Sequence, residues 1–300
     1  MSISEDTFAS WAQGPGTVEA QKCANAETAI RKAILADATL AQMDITVFTQ
    51  GSYAVRTNVR LDSDVDICIR YNEAFFTQYP DGMTDADFGN VNGGLAFSDF
   101  KGPVQRALES YFDSSSVTRG SKAFDIHANT YRIDADVVPA FGYRYYTGRK
   151  DLRGNHEILH GVAFIPDTGV RIVNWPQQTY DNGVMRNDQT GRKYKRIIRI
   201  LKRLRNRMQD DGIVAAQNIS SFLIECLVWN APLEAFQHEK YTENVRHVLA
   251  HTCNNTREDK DCSEWREVNE IKYLFRSFQP WTRYQANQFL NAAWDYIGFK

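Results

Sequence analysis

Two pairs of aspartates are the residues most able to do chemistry. Asp64 and Asp66 form one pair, and Asp134 and Asp136 form the other, with one residue between the members of each pair. Apolar residues flank both pairs, so each is predicted to lie on a strand with its two side chains on one face. Like charges this close repel each other, and a hard cation such as magnesium, which prefers oxygen ligands, removes that cost.

Carboxylates that converge from two strands suit phosphoryl transfer. That reaction uses two metal ions about 4 Å apart, which hold the attacking oxygen and the leaving phosphate. Three carboxylates are sufficient, so we expect Asp64 and Asp66 to act together with one member of the second pair. An isolated Asp-x-Asp also occurs in calcium loops and exposed turns, so the pattern needs support from its surroundings.

Gly51 and Ser52 provide that support, because eleven residues separate Ser52 from Asp64. Glycine lets the backbone approach a triphosphate, and the amide and hydroxyl groups of Ser52 can donate to its oxygens at the start of a short helix. The arrangement resembles the signature of the DNA polymerase β superfamily, a Gly-Ser followed by about ten residues and an Asp-x-Asp between apolar residues. Gln50 departs from it, since an apolar residue is usual there.

Later segments narrow the resemblance to the cGAS/DncV-like nucleotidyltransferases. Residues 136–141 (DVVPAF) resemble the third-aspartate strand of oligoadenylate synthases and their relatives, which favours Asp136 over Asp134 as a catalytic metal ligand. Asp134 would then point into the same site without being the third ligand. Residues 200–204 (ILKRL) and 220–222 (SSF) resemble the family's helix lysine and its Ser-aromatic pair. By that resemblance, Lys202 and Ser221 contact the donor triphosphate and Phe222 lies against a base.

Within this family the chain resembles the bacterial CD-NTases, most closely their clade E. The segments that carry this likeness are 50–53 (QGSY), 61–66 (LDSDVD), 172–176 (IVNWP) and 222–226 (FLIEC). The resemblance implies a nucleotide site that includes Gln50, two Mg²⁺ ions for which Mn²⁺ can substitute, and ATP and UTP as substrates. It also implies a cyclic dinucleotide second messenger that acts on a downstream effector in bacterial anti-phage signalling.

Two other functions use the same residues. An oligoadenylate-like or tailing transferase would release linear products, and a nucleotide-binding pseudoenzyme would release none. The zinc-bearing DNA-binding insertion of the animal enzyme is not visible before Lys202, so we expect no activation by DNA. The polar segment 155–160 could read the bases, or it could be an exposed loop before a strand at Val162.

The elements that must position these residues change character along the chain. The resemblance implies an α/β nucleotidyltransferase core, with a polymerase β-like mixed sheet and helices, plus a C-terminal helical domain in a bilobed architecture. We place the core with an N-terminal helix at 1–178 and the helical domain at 179–300. The predicted helices are 18–35, 104–112, 221–229, 239–250, 265–275 and 281–296, with the chain turning helical at about Lys193. The predicted strands are 45–50, 65–71, 116–119, 123–128, 131–138, 162–165 and 171–173.

Three further features have local meanings. Pro139 is predicted to end its strand, because proline cannot donate to a ladder. Residues 78–94 are rich in Gly and Asp and are predicted to form a surface loop or lid. Nine of the sixteen residues from Arg192 to Arg207 are Lys or Arg, and apolar residues at helical spacing give this segment a buried face.

Composition limits the partners and the location. The net charge is −2 and the sequence pI about 6.3, so no global field attracts nucleic acid. Without an apolar run of about 18 residues or a signal-like start, we expect a cytoplasmic protein with no membrane partner. The five cysteines suggest reduced thiols rather than a disulfide framework. We considered a zinc site and favour a helix end and polar loop instead at His247, His251, Cys253 and Cys262.

Overall fold

The chain, seen here in a computed structural model, is described over residues 3–59, 64–91 and 93–300. In chain order its helices and strands are α1 (Glu5–Trp11), α2 (Thr17–Ala36), β1 (Ile45–Gln50), α3 (Gly51–Ala54), β2 (Val65–Gln78), α4 (Phe97–Phe112), β3 (Val117–Arg119), β4 (Phe124–Ile126), β5 (Ala135–Lys150), β6 (His156–Phe164), β7 (Ile172–Asn174), α5 (Pro176–Gln189), α6 (Tyr194–Asp210), α7 (Ser221–Trp229), α8 (Tyr241–Asn255), α9 (Asp259–Cys262) and α10 (Arg283–Ile297). The part of the 61–66 motif before Asp64, and Asn92 of the 78–94 loop, lie outside the described residues. Over the described ranges, none of the helices combines the length and the apolar character needed to cross a membrane.

The chain folds into two compact units, which we call the sheet unit and the helical unit. The sheet unit contains residues 17–54 and 64–177, and the helical unit contains the described residues 3–16, 55–59 and 178–300. The division therefore differs from the predicted one at the N-terminus and at 55–59. The reason for the first difference is packing, because Phe8 of α1 is fully buried in the apolar core of the helical unit.

The sheet unit contains the mixed sheet that the family resemblance implied. Neighbouring strands follow the order β1, β2, β5, β4, β3, and β6 pairs with β5 and β7 with β6. Only the pairing of β2 with β5 is parallel among those described; the others are antiparallel. Helices α2 and α4 contribute buried side chains such as Ile30 and Phe100 to the same apolar core as Ile67 and Val137 of the sheet.

Strand β5 is longer than predicted, because it continues through Pro139 to Lys150. Pro139 pairs with Ile69 on the β2 side. On the opposite side, the pairing with β4 ends at Val137 and the pairing with β6 starts at Phe141. Proline therefore lies in a gap where a missing N–H interrupts no ladder, and the prediction that it ends the strand was wrong.

Two predictions for the helical unit were wrong. The chain becomes helical at α5, well before the predicted start near Lys193, and residues 265–275 form turns with an isolated bridge between Arg266 and Tyr273 instead of a helix. Helix α6 has the predicted buried face, which consists of Ile197, Ile200, Leu201, Leu204 and Met208.

Candidate active site

The parallel pairing of β2 with β5 brings the predicted catalytic aspartates together. Asp66 and Asp136 are register partners on these two strands. Asp64 immediately precedes β2, where the N–H of Val65 donates to the carbonyl oxygen of Asp134 at 3.0 Å. Because both strands begin at the same edge of the sheet, residues that are about seventy positions apart in sequence present their carboxylates side by side.

The backbone at Gly51 lies against one of these carboxylates. Gly51 follows β1 directly, has φ +65°, and a Cβ placed on it would lie 1.9 Å from Oδ2 of Asp66. The neighbouring Gln50 is the register partner of Asp66, and Ser52 lies in the single turn of α3. Thus the turn that carries the predicted triphosphate contacts is packed against a predicted metal ligand, and only glycine leaves room for it.

Asp125 is a fourth carboxylate at this place, which sequence reasoning missed. It lies on β4 as the register partner of Asp136, and the two side chains are hydrogen-bonded. The signal was present, since Phe124-Asp125-Ile126 alternates apolar and acidic residues within a predicted strand. Its pairing with Asp136 depends on the antiparallel register of β4 and β5, which no local pattern shows.

Asp134 has a different environment from Asp136. Its side chain accepts a hydrogen bond from the backbone N–H of Ala128 at 2.7 Å, which ties it to the turn between β4 and β5. Asp136 lies within the strand, and its side chain is half-buried. Of the two members of the second pair, Asp136 is the one that faces Asp66 across the strand pairing.

The electrostatics of the cluster follow from crowded carboxylates. Burial, then the charge of Asp66, and then the hydrogen bond and charge of Asp125 raise the pKa of Asp136 to about 7. Burial, followed by the charges of Asp134 and Asp125, raises the pKa of Asp64. The cluster is thus a set of hard oxygen donors with excess negative charge, which is the chemistry that suits magnesium ions. Within the described ranges, no three His, Cys, Asp or Glu side chains are already grouped as a set of metal ligands.

The raised pKa of Asp136 has a testable consequence for the metal-free protein. Folded Asp136 binds its proton more tightly than unfolded Asp136, so its stabilising contribution is complete below about pH 4 and is lost as the pH rises through about 7. We expect Asp136→Asn to increase the free energy of unfolding, relative to wild type, by more at about pH 8 than at about pH 5. Urea unfolding of both proteins in chelator measures this difference, and an equal difference at the two pH values would contradict it.

Lys202, Ser221 and Phe222 all lie in the helical unit, where they make internal contacts. Lys202 is 1% exposed, and its Nζ lies 2.6 Å from Oε1 of Glu225 and 3.1 Å from the carbonyl oxygen of Thr57. Ser221 accepts a hydrogen bond from Nη2 of Arg205 at 3.1 Å. The ring centroid of Phe222 is 6.2 Å from that of Trp281. The contacts of these residues with a nucleotide stay predictions.

Because the Lys202–Glu225 ion pair is buried, Lys202→Ala is expected to destabilise the protein. The substitution leaves the carboxylate of Glu225, whose side chain is 6% exposed, without its cation, and such losses cost roughly 3 to 5 kcal/mol. Chemical denaturation measures the change in the free energy of unfolding. Arg207→Ala is the control, since Arg207 is an exposed cation of the same helix. Equal stability of the two variants would show that the pair contributes little.

The predicted loop at 78–94 packs against the ends of β5 and β6 that lie away from the aspartates. The ring of Phe88 stacks on Tyr79 with centroids 5.0 Å apart and also contacts Tyr146 and His156. Asn90 Nδ2 donates to the hydroxyl oxygens of Tyr79 and Tyr146. In this structure the loop is anchored by aromatic packing at a distance from the predicted catalytic residues of its unit.

The segment 155–160 is mostly strand. Strand β6 begins at His156, and His160 is the register partner of Arg144 on β5. The interpretation of this segment as an exposed loop before a strand at Val162 was therefore wrong. Burial, together with the nearby charges of Arg144 and Arg70, lowers the pKa of His160.

The residues considered for zinc have separate surroundings. His247 stacks on His238 with ring centroids 4.1 Å apart, and His251 lies parallel to Trp265. Burial raises the pKa of Cys253 to about 12 and that of Cys262 to about 11. In the residues that the structure describes, these four side chains do not form a metal-ligand set.

Comparison with known proteins gives consistent matches over nearly the full chain. The family model of the cGAS/DncV-like nucleotidyltransferase C-terminal helical domain matches residues 181–298. The cyclic dipyrimidine nucleotide synthase CdnE of Legionella pneumophila is 42% identical over 98% of this chain and 97% of that protein. The cyclic dipurine nucleotide synthase of Elizabethkingia meningoseptica is 36% identical over 100% of this chain and 100% of that protein.

Solved structures agree with these sequence matches. The structure of Elizabethkingia meningoseptica CdnE with GTP and Apcpp has a TM-score of 0.80 and 34% identity, covering 99% of this chain and 100% of that one. The structure of the Rhodothermus marinus CdnE c-UMP-AMP synthase with Apcpp and Upnpp has a TM-score of 0.83 and 28% identity, covering 99% of this chain and 98% of that one.

Proposed function

This chain belongs to clade E of the cGAS/DncV-like nucleotidyltransferases and is a cyclic dinucleotide synthase, and we propose that it uses magnesium to make a product that contains at least one uridine. The observation that carries the base assignment is the likeness to two cyclic dipyrimidine nucleotide synthases, which are 42% and 38% identical over 98% of this chain. The substrates in this proposal are UTP together with ATP or a second UTP.

In the proposed reaction, two transfers take place in one site. In each, a ribose hydroxyl oxygen attacks an α-phosphorus, the new phosphodiester forms, pyrophosphate leaves, and the hydroxyl proton is given up. The first transfer makes a linear intermediate and the second closes the ring. Bound magnesium would neutralise the charge that develops on the phosphate oxygens and lower the pKa of the attacking hydroxyl. Asp64, Asp66 and Asp136 are proposed as its ligands.

The remaining residues of the proposal bind and orient the donor. The N–H and hydroxyl of Ser52 donate to the triphosphate. Gln50 is part of the same nucleotide site, and Gly51 leaves room for both the substrate and Asp66. In the helical unit, we propose that Ser221 contacts the triphosphate and Phe222 lies against a base, and that Lys202 reaches the triphosphate only when its buried ion pair with Glu225 opens. Support for Ser221 is its position as the first residue of α7, where backbone N–H groups are free of helical acceptors. We also propose that the product acts on an effector protein in anti-phage signalling.

The experiment is a nucleotide-omission assay with mass identification of the product. The protein is incubated with ATP, GTP, CTP and UTP plus magnesium, with each nucleotide left out in turn, and the products are treated with phosphatase. We expect a phosphatase-resistant product whose yield falls when UTP is omitted. A linear product, which loses its terminal phosphates, would identify an oligoadenylate-like or tailing transferase. Unchanged yield without UTP would show that the base assignment is wrong while leaving the cyclisation intact.

A further inference from the structure

A cavity of about 330 Å³ opens on the sheet unit away from the residues assigned to catalysis. It is formed by one face of α2, the end of α4, and the turn between β4 and β5. Its lining residues are Thr28, Ala29, Lys32, Tyr111, Phe112, Ser116, Asn129, Tyr131 and Arg132. A volume of this size falls at the lower end of the range for small-molecule sites, about 300 to 1,000 Å³.

The charges that line this cavity have one sign. Lys32 and Arg132 are its ionisable cations, and the lining contains no Asp or Glu. Lys32 is exposed and forms no salt bridge within the described parts of the chain. An anion that enters the cavity would therefore meet two positive side chains and no carboxylate among the lining residues.

Arg132 is the more informative of the two cations. Its guanidinium lies over the ring of Phe112 at 4.7 Å, and its Nε is buried without a hydrogen-bond partner among the described residues. Burial lowers the pKa of Arg132, and the nearby charge of Asp134 offsets this only partly. Arg132 is a lining residue of the cavity, and its guanidinium has further N–H groups from which an anionic ligand can accept charge-assisted hydrogen bonds.

The cavity also presents aromatic surface. Tyr111 is 43% exposed and Tyr131 is 57% exposed, so part of each side chain is open to solvent at the cavity. Exposed aromatic faces beside cations suit a flat ring that carries negative charge, because the ring stacks while its anionic group reaches the cations.

The turn that carries Tyr131 and Arg132 is held in place before any ligand binds. Asn129 Oδ1 accepts hydrogen bonds from the backbone N–H groups of both residues at 2.9 Å. Asn25 of α2 donates from Nδ2 to the carbonyl oxygen of Tyr131 at 2.8 Å. Because this wall is already ordered, the protein loses less conformational entropy when a ligand binds.

We propose that this cavity is a second ligand site, which binds a flat aromatic anion of about mononucleotide size. The phosphate or carboxylate group of this ligand contacts Lys32 and Arg132. The site is separate from the catalytic residues, because none of Asp64, Asp66, Asp136, Gly51 and Ser52 lines it. It is nevertheless connected to them by the chain. The turn of Arg132 leads directly into β5, whose second residue is Asp136. A ligand seated there contacts the segment that positions the third aspartate.

The test is isothermal titration of the full chain in chelator, where the predicted metal-dependent site is inactive, with three probes: uridine monophosphate, isophthalate and inorganic phosphate. We expect one molecule of an aromatic probe per chain and inorganic phosphate to bind at least about tenfold more weakly. Binding of uridine monophosphate alone identifies a phosphate ligand, and binding of isophthalate alone identifies a carboxylate ligand. Inorganic phosphate that binds as tightly as both aromatic probes, or no binding of any probe, would overturn the proposal.

Charge-reversal variants test whether the aromatic probe binds in this cavity. Lys32→Glu is expected to weaken the aromatic probe at least about tenfold, because it reverses a charge at the site. Lys122→Glu is the matched control, since Lys122 is an exposed lysine of the same unit that does not line the cavity. Equal binding to the two variants would place the ligand elsewhere and overturn the proposal. Because Lys32 is exposed, the Lys32→Glu protein should melt at the wild-type temperature, and Tyr111→Ala serves as a second variant if it does not.

Discussion

The double substitution Asp64→Asn with Asp66→Asn is expected to reduce product formation at least about a thousandfold, a loss of roughly 4 kcal/mol of transition-state stabilisation. Neutral amides cannot hold the cations that phosphoryl transfer requires. The fold should survive, because the substitutions remove like charges that raise the pKa of Asp136. The measurements are the rate of product formation with magnesium and the melting temperature in chelator.

Two other aspartates provide the control. Asp81 and Asp210 are exposed, so Asp81→Asn with Asp210→Asn makes the same change in charge away from the cluster. This control should retain the wild-type rate. A rate for the Asp64→Asn and Asp66→Asn protein that stays within about tenfold of wild type would mean that these carboxylates are not metal ligands.

Gly51→Ala is expected to lower product formation by about a hundredfold, or roughly 3 kcal/mol. The new Cβ would lie 1.9 Å from Oδ2 of Asp66 and 2.8 Å from its Cγ, so the carboxylate must move. A displaced metal ligand costs far more in rate than in stability, because catalysis depends on position to within fractions of an ångström. The measurements are the rate and the melting temperature of the variant.

Gly89→Ala separates this contact from backbone strain. Gly89 has the same φ of +65° as Gly51, and a Cβ placed on it meets nothing within 4 Å. Both variants therefore pay the cost of an L-residue in the left-handed region, about 1 kcal/mol, but only one moves Asp66. Equal losses of activity in the two variants would contradict the explanation, since strain alone would then account for the effect.

Local patterns in the sequence were enough to predict several features correctly. The alternation of apolar and acidic residues placed Asp66 and Asp136 on strands, and the apolar spacing of 3 and 4 placed the buried face of α6. These patterns depend on residues a few positions apart, whose relative directions the backbone geometry sets by itself. The resemblance to a known family, and from it the mixed sheet, could also be read from short motifs.

Other features depend on which distant segments meet. Pro139 could be accepted inside β5 only because β4 ends and β6 begins on either side of it. Helix α1 joins the helical unit because Phe8 is buried there, and not because of any signal in its seven residues. Residues 265–275 carry apolar side chains at suggestive spacing, yet tertiary packing of Val268 and Leu274 holds them in turns instead of a helix.

The candidate site divides in the same way. The sequence by itself determined which functional groups the candidate site contains: carboxylates that can bind cations, a Gly-Ser turn, and a lysine on a basic helix. These follow from residue identity and local spacing. Only the tertiary structure decided that Asp125 faces Asp136, that Gly51 makes room for Asp66, and that Lys202 is paired with Glu225 in the core of the helical unit. Each of these depends on strand register or on packing between residues far apart in the chain, and such contacts are set by the free energy of the whole fold, not by any one segment.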